Sequence, residues 1–222
     1  MNKHYGRKYG RKMRHNKHRL MEEWLPKVEI KIEEGQNFPL QDLAEGYDAI
    51  NLEIGFGAGE HLALQAEHHP SQLFIGCEPF INGIAALLQK IEQKNLTNVR
   101  VFPDDVMMLL KALPDSVFSK VFILFPDPWP KKRHNKRRLV KKENLAFLAT
   151  KMQKGGRLLL ATDHDDYFEW MQEHIQNHGN FDVLSQTEQQ WLQKPDLWTT
   201  TRFQEKANKE GRISRFLRLT RK

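Results

Sequence analysis

Between Phe125 and Arg138 the chain reads FPDPWPKKRHNKRR, and two kinds of chemistry meet there. Asp127 stands between Pro126 and Pro128, with Trp129 and Pro130 following. Each proline ring fixes its own backbone φ, so the prolines give the carboxylate a set direction. Then come Lys131, Lys132, Arg133, Lys136, Arg137 and Arg138, with His134 among them. Lysine and arginine grip phosphate oxygens. An immobilised acid beside a cationic run therefore suggests chemistry performed on a polyanion. The plainer alternative is a turn aspartate followed by a solvated basic face.

A second constellation lies upstream, in Glu53-Ile54-Gly55-Phe56-Gly57-Ala58-Gly59-Glu60. Glycines allow a tight turn and a close backbone approach to a ligand, whose polar groups then meet exposed helix-terminal amides. The spacing of Gly55, Gly57 and Gly59 differs from the Gly-x-Gly-x-x-Gly of pyrophosphate binders. Glu78 falls at the end of the next apolar run, where a carboxylate can accept both hydroxyls of a ribose. Asp105, or Asp104 beside it, follows the third run and is placed for an adenine edge. Acids at three successive strand ends, with no cation for a pyrophosphate, fit a nucleoside ligand such as S-adenosylmethionine. A dinucleotide-dependent dehydrogenase is the competing reading of the glycine turn.

These residues need a frame that brings strand ends together. Ala49–Ile54, Leu73–Cys77, Val99–Phe102, Lys120–Phe125 and Arg157–Thr162 read as buried strands. Helical spacing fills the intervals, most clearly at Ile81, Ile84, Ala85, Leu88 and Ile91. Leu139–Gln153 reads as a helix stopped by Gly155-Gly156, and Asp165–His178 as another. Phe181–Leu184 and Ile213–Leu219 complete seven strands, with an irregular stretch over 188–211 between them. Strand–helix alternation predicts an α/β fold, a doubly wound and mostly parallel seven-stranded sheet. The last two strands lack a convincing connecting helix, which predicts an antiparallel hairpin at the end.

Charge is unevenly spread. The net charge is +7, yet residues 1–19 carry eight Lys and Arg with no acid, and residues 131–142 carry eight more with none. The remainder is net acidic. Two cationic patches on an acidic body suit a phosphate backbone. Residues 1–26 read as a basic arm ending in a short helical turn, able to order on RNA; residues 27–222 read as the folded domain. Cys77, the single cysteine, excludes an internal disulfide and any cysteine-rich zinc site. His68, His69 and His164 have no metal-ligand spacing, so no catalytic metal is expected. No apolar run nears a membrane span and no apolar signal region follows the basic start. The expected location is cytoplasmic, with a mitochondrial presequence as the rival reading of residues 1–19.

The segments EIGFGAGE, GCEPF, FPDPWPKKRHNKRR, LLLATDH and TTTRFQEKA, in that order, resemble the bacterial tRNA (guanine-N7-)-methyltransferases. The resemblance runs from about residue 49 to the end, and FPDPWPK is its most specific part. It implies a Rossmann-like class I methyltransferase fold using S-adenosylmethionine and acting on tRNA; monomer or homodimer is left open by the sequence. It implies cofactor contacts from Glu53, Glu78, Asp105 and Asp127, with Asp127 also catalytic. It implies tRNA contacts from Lys131, Asp163 and the segment Thr201, Arg202, Phe203, Gln204, and a variable-loop guanine as target. The family pattern in that segment ends in glutamate, where this chain has Gln204, with Glu205 one place later.

From the residues themselves, Arg133, His134, Lys136, Arg137 and Arg138 join Lys131 as candidate tRNA contacts. Asp163 serves equally well as a helix N-cap. Trp129 suits stacking on a base or packing beneath its loop. A small-molecule methyltransferase, or an RNA-binding protein with an idle cofactor loop, are the other two readings. Neither explains both the basic runs and the retained acids.

Overall fold

The computed structural model describes all residues except 1–7, 11, 12, 14, 34 and 178, and except the side chains of Arg202 and Phe203. Seven strands form one sheet, in which the strands counted along the chain are ordered third, second, first, fourth, fifth, seventh, sixth. The chain divides into two compact units, Met1–Pro114 and Asp115–Lys222.

In the first unit, β1 (Ala49–Ile54), β2 (Gln72–Cys77) and β3 (Val99–Phe102) run parallel. Ile54 pairs with Cys77, and Cys77 with Phe102. The three carboxyl ends are therefore level, and Gly55, Glu78 and the Asp104-Asp105 pair all follow at one edge. Helix α4 (Glu60–His68) returns from β1 to β2, and α5 (Ile81–Lys94) from β2 to β3. Ile84, Leu87, Leu88 and Ile91 of α5 are wholly enclosed. Burial of each such side chain is worth about 1.5–3 kcal/mol, and the stripe fixes the helix to the sheet. Helix α6 (Val106–Ala112) follows β3.

Among the described residues, three short helices precede β1: α1 (His15–Glu23), α2 (Leu25–Val28) and α3 (Leu40–Ala44). A helix as short as α1 is marginal alone in water. It is held by Leu20, which is fully buried, and by Arg19, whose guanidinium meets both Glu92 carboxylate oxygens at 2.8 and 2.9 Å. Trp24 Nε1 donates to the same carboxylate at 3.0 Å. The basic run 1–19 thus ends in helix docked on α5; residues 1–7, 11, 12 and 14 of it lie outside the described residues.

In the second unit, β4 (Phe118–Leu124) runs parallel to β5 (Met152–Thr162). β5 pairs antiparallel with β7 (Arg215–Arg221), which pairs antiparallel with β6 (Phe181–Val183). The antiparallel end matches the expectation. Two details differ. Helix α7 (Lys142–Lys151) stops before Gly155-Gly156, and the strand runs through both glycines. The register shifts between Phe118 and Lys120, and a Cβ on Gly156 would lie 2.8 Å from the Gln153 carbonyl. Those glycines make a bulge with close backbone approach, and they do not terminate a helix. Helix α8 (Asp165–Gln176) follows β5. The stretch read as irregular then holds α9 (Glu188–Leu192), closed by a Thr187–Gln190 capping box, and α10 (Arg202–Lys209), capped by Thr201.

Candidate active site

Gly55, Gly57 and Gly59 all adopt positive φ, of 72°, 58° and 72°. The amide of Gly57 donates to Glu78 Oε2 at 2.9 Å, and the amide of Phe80 donates to Glu78 Oε1 at 2.9 Å. Both oxygens of Glu78 are thus oriented by backbone donors before any ligand arrives. Gly83, one turn into α5, allows this loop to lie against the helix: a Cβ there would meet the Gly57 carbonyl oxygen at 2.1 Å. Lys90 Nζ donates to the Ala58 carbonyl at 2.9 Å from the same helix.

Glu53 is almost wholly enclosed, with its Oε2 2.7 Å from His61 Nδ1. An ionised carboxylate only accepts, so the imidazole proton belongs on Nδ1. Asp105 caps α6, accepting from the Met107 amide at 2.9 Å. Asp104 accepts from the Asp105 amide at 2.8 Å, and Lys8 Nζ lies 3.7 Å from its carboxylate. Burial first, then the charges of Asp105 and Glu78, pushes the Cys77 thiol well up from its ordinary value. Glu78 directly follows β2 and Asp105 follows β3, the two strand ends being level in the sheet. His61, Gly83 and Lys90 escaped the sequence reading. A histidine in the first turn after the glycines, on the same face as Leu62, Gln65 and Ala66, was the available signal for the first.

In the second unit the amide of Phe125 donates to the Ala161 carbonyl at 2.8 Å, one last sheet-like bond. The turn follows. Phe125 and Trp129 have positive φ, of 51° and 44°, a region side-chain-bearing residues seldom enter. Asp127 sits midway between these two strained residues, exposed. Such strain persists only where surrounding structure over-determines it. Two braces are visible. The Asn135 amide, oriented as its neighbours require, donates to the Trp129 and Lys131 carbonyls at 3.1 and 3.2 Å. The Trp129 ring packs edge-on against His134 and beneath the Arg137 guanidinium, 4.9 Å from the ring centre. Trp129 is therefore a packing residue of the turn.

The basic run forms a 3-10 helix, Lys132–Arg137. Lys131, Lys132, Arg133 and Lys136 are exposed, while His134 and Arg137 are half-buried. Partial burial first, then Arg137, Arg133, Lys131 and Lys136, holds the His134 imidazole below its ordinary 6.5. Arg138 departs from the surface grip expected of it. It is 1 % exposed, and its guanidinium is used internally.

The family model described as "Putative methyltransferase" matches residues 48–216. A tRNA (guanine-N(7)-)-methyltransferase of Zymomonas mobilis is 40% identical over 207 residues, covering 93% of this chain and 89% of its own. One of Agrobacterium fabrum is 38% identical, covering 98% and 94%. The chain belongs to this methyltransferase family. Among solved structures, an antibiotic-related methyltransferase superposes with TM-score 0.58 at 17% identity, covering 86% of this chain and 94% of its own. The 16S rRNA methyltransferase KamB does so with TM-score 0.58 at 16% identity, with the same coverage. At such identity they show the fold alone, which is that of the Rossmann-like class I methyltransferases.

The remaining residues that the family resemblance singled out belong to the second unit. Asp163 is ion-paired with Arg212. It does not cap α8, whose N-cap is His164 with no side-chain cap. Thr201 is buried and caps α10, accepting from the Gln204 amide at 3.3 Å. Gln204 is also buried, and its Oε1 accepts from Trp198 Nε1 at 2.9 Å. The Trp198 ring packs against Phe125, 6.4 Å between centres, and Phe216, 5.0 Å. Thr201 and Gln204 thus brace the base of the Asp127 turn through Trp198. A neutral amide at this enclosed place avoids burying the charge that a glutamate would bring. The side chains of Arg202 and Phe203 lie outside what the structure describes.

Proposed function

We propose that this chain transfers a methyl group from S-adenosylmethionine to the N7 nitrogen of a guanine in tRNA, the variable-loop guanine by family resemblance. What carries the reading is the Asp127 turn. An exposed carboxylate is held in a strained, proline-bounded loop that leads directly into exposed cations, in a chain 40% identical to a tRNA (guanine-N(7)-)-methyltransferase.

The residues of the first unit fit the methyl donor. Glu78, pre-oriented by two loop amides, suits ribose hydroxyls; Asp105 suits an adenine edge; Glu53 suits a cationic group. When bound, the donor supplies a sulfonium-activated methyl group. Guanine N7 has a lone pair and no proton, so the N–C bond can form as the S–C bond breaks, leaving a thioether, without a general base. The chain's part is alignment, which can supply up to roughly 7–11 kcal/mol of a barrier, and electrostatics. Positive charge moves onto the purine during transfer. A fixed Asp127 carboxylate beside it lowers that charge's energy most where water is excluded. Lys131, Arg133, His134, Lys136 and Arg137 hold phosphates, while the buried Thr201 and Gln204 act on the substrate side only through the turn they brace. N7 lies on the groove that is closed in an A-form helix, so the target guanine must be unstacked or distorted.

Incubation with methyl-labelled S-adenosylmethionine and unmodified tRNA, followed by nucleoside analysis, tests the reading. Labelled 7-methylguanosine is expected, and label at another atom or none would sink it. Asp127→Asn should lose roughly 10²–10³-fold in single-turnover rate at saturating S-adenosylmethionine, with the fold unchanged. A retained rate would remove the electrostatic role.

A further inference from the structure

We infer that Arg138, the last residue of the basic run, is a positioning residue for the Asp127 turn and not a phosphate contact. The inference rests on the reading that Asp127 acts at the guanine. Arg138 Nε donates to the carbonyl of Pro128 at 2.8 Å, and Pro128 immediately follows Asp127. The guanidinium carbon lies 4.9 Å from the centre of the Tyr167 ring and 5.0 Å from that of Trp170. One terminal nitrogen pairs with Asp166. The side chain has no exposure at all, so a phosphate could reach it only by dismantling these contacts.

Every partner except Pro128 comes from the first two turns of α8. The same helix also holds the neighbouring backbone. The Val140 amide donates to the Tyr167 hydroxyl at 3.2 Å, and Trp170 Nε1 donates to the Val140 carbonyl at 2.7 Å. Arg138 to Val140 is therefore clamped along α8, and the guanidinium reaches from that clamp to the turn. Its planar fork makes this possible: it stacks on aromatic faces while donating sideways, which an ammonium cannot reproduce. The basic run thus divides by role. Lys131, Lys132, Arg133 and Lys136 face outward, and Arg138 ties the acid-bearing turn to a helix.

The test compares Arg138→Lys, which keeps the charge and loses the fork, with Lys136→Ala in the exposed strip. Arg138→Lys should lower the single-turnover rate at saturating tRNA and S-adenosylmethionine by roughly 10–100-fold, the scale of a small misplacement of reacting groups. Its tRNA Kd and the salt dependence of that Kd should stay at wild type. Lys136→Ala should weaken tRNA binding and reduce the salt slope by about 1. A weaker Kd and smaller slope for Arg138→Lys, with its saturated rate intact, would overturn the assignment. Should Arg138→Lys not fold, Asp166→Asn loosens the same guanidinium from an exposed position. It should slow the rate severalfold at unchanged Kd, and a wild-type rate counts against the proposal. Amide hydrogen exchange over 125–130 separates this inference from the role of Asp127. Faster exchange in Arg138→Lys supports the tether even if Asp127→Asn proves fully active; unchanged exchange refutes it.

Discussion

His61 Nδ1 lies 2.7 Å from Glu53 Oε2, and both side chains are almost wholly enclosed. Glu53 is the penultimate residue of β1 before the glycines and His61 lies in the first turn of the helix after them, so the bond ties the two sides of the glycine turn together. Removing the imidazole leaves a buried carboxylate short of a donor, at a cost of about 1–3 kcal/mol or more for a charged group. His61→Ala should therefore unfold at lower denaturant with an unchanged m-value. It should also bind S-adenosylhomocysteine more weakly, while Lys136→Ala keeps wild-type affinity for it. Calorimetric titration reads this directly. Wild-type cofactor affinity in a destabilised His61→Ala would mean that the pair serves the fold alone.

A methyl group at position 83 has nowhere to go. Its ideal position is 2.1 Å from the Gly57 carbonyl oxygen, a backbone atom that cannot swing aside as a flexible side chain could. Gly83→Ala must push α5 from the glycine turn and disturb the bond between Gly57 and Glu78. The expected result is a loss of at least about 10-fold in cofactor affinity, or about 1.4 kcal/mol. Gly155→Ala, where φ is +75° but no atom lies within 4 Å, should cost about 1 kcal/mol of stability and no affinity. Equal cofactor affinity in the two variants would refute the packing argument.

What was legible in the sequence is what neighbours in the sequence decide. Apolar runs ending in Glu53 and Glu78, with glycines between, define strand ends and a loop using local signals alone. The parallel register then aligns them without further information. The inward turn of Arg138 was not legible. Nothing within the basic run distinguishes it from Arg137; the aromatic rings that enclose it, Tyr167 and Trp170, lie some thirty residues on. Gly155-Gly156 misled for a related reason, because a glycine pair marks a helix stop or a strand bulge, and only pairing with β4 decides. Helix α10 was hidden by its polarity. Its start was signalled only by a threonine cap at Thr201.

His134 should make tRNA binding pH-dependent. Its imidazole is held below its ordinary 6.5 by partial burial and by four neighbouring cations, which favours the neutral ring in the free chain. Phosphates bound to those cations cancel their repulsion and favour the protonated ring, raising its pKa on binding. A group that takes up a proton on binding strengthens the complex as pH falls. The tRNA Kd should therefore tighten from pH 7.5 to 5.5, by no more than about tenfold per unit for one proton. His134→Gln should remove that part of the dependence. An identical pH profile for wild type and His134→Gln would show that the ring stays away from phosphate.

The salt dependence of tRNA binding should reveal how many cations of the run are engaged. Lys131, Lys132, Arg133 and Lys136 are exposed, Arg137 is half-buried, and Arg138 is internal. Each neutralised phosphate contributes about 0.9 to the slope of log affinity against log salt for a duplex. The run alone then gives a slope near −4, an affinity loss of roughly 10²-fold between 50 and 200 mM salt. Engagement of the basic residues in 1–19 as well would take the loss towards roughly 10³–10⁵-fold. A chain lacking residues 1–14 separates the two contributions: it should retain the slope near −4 and lose the excess. Binding that barely changes with salt in the full chain would remove both cationic runs from the interface.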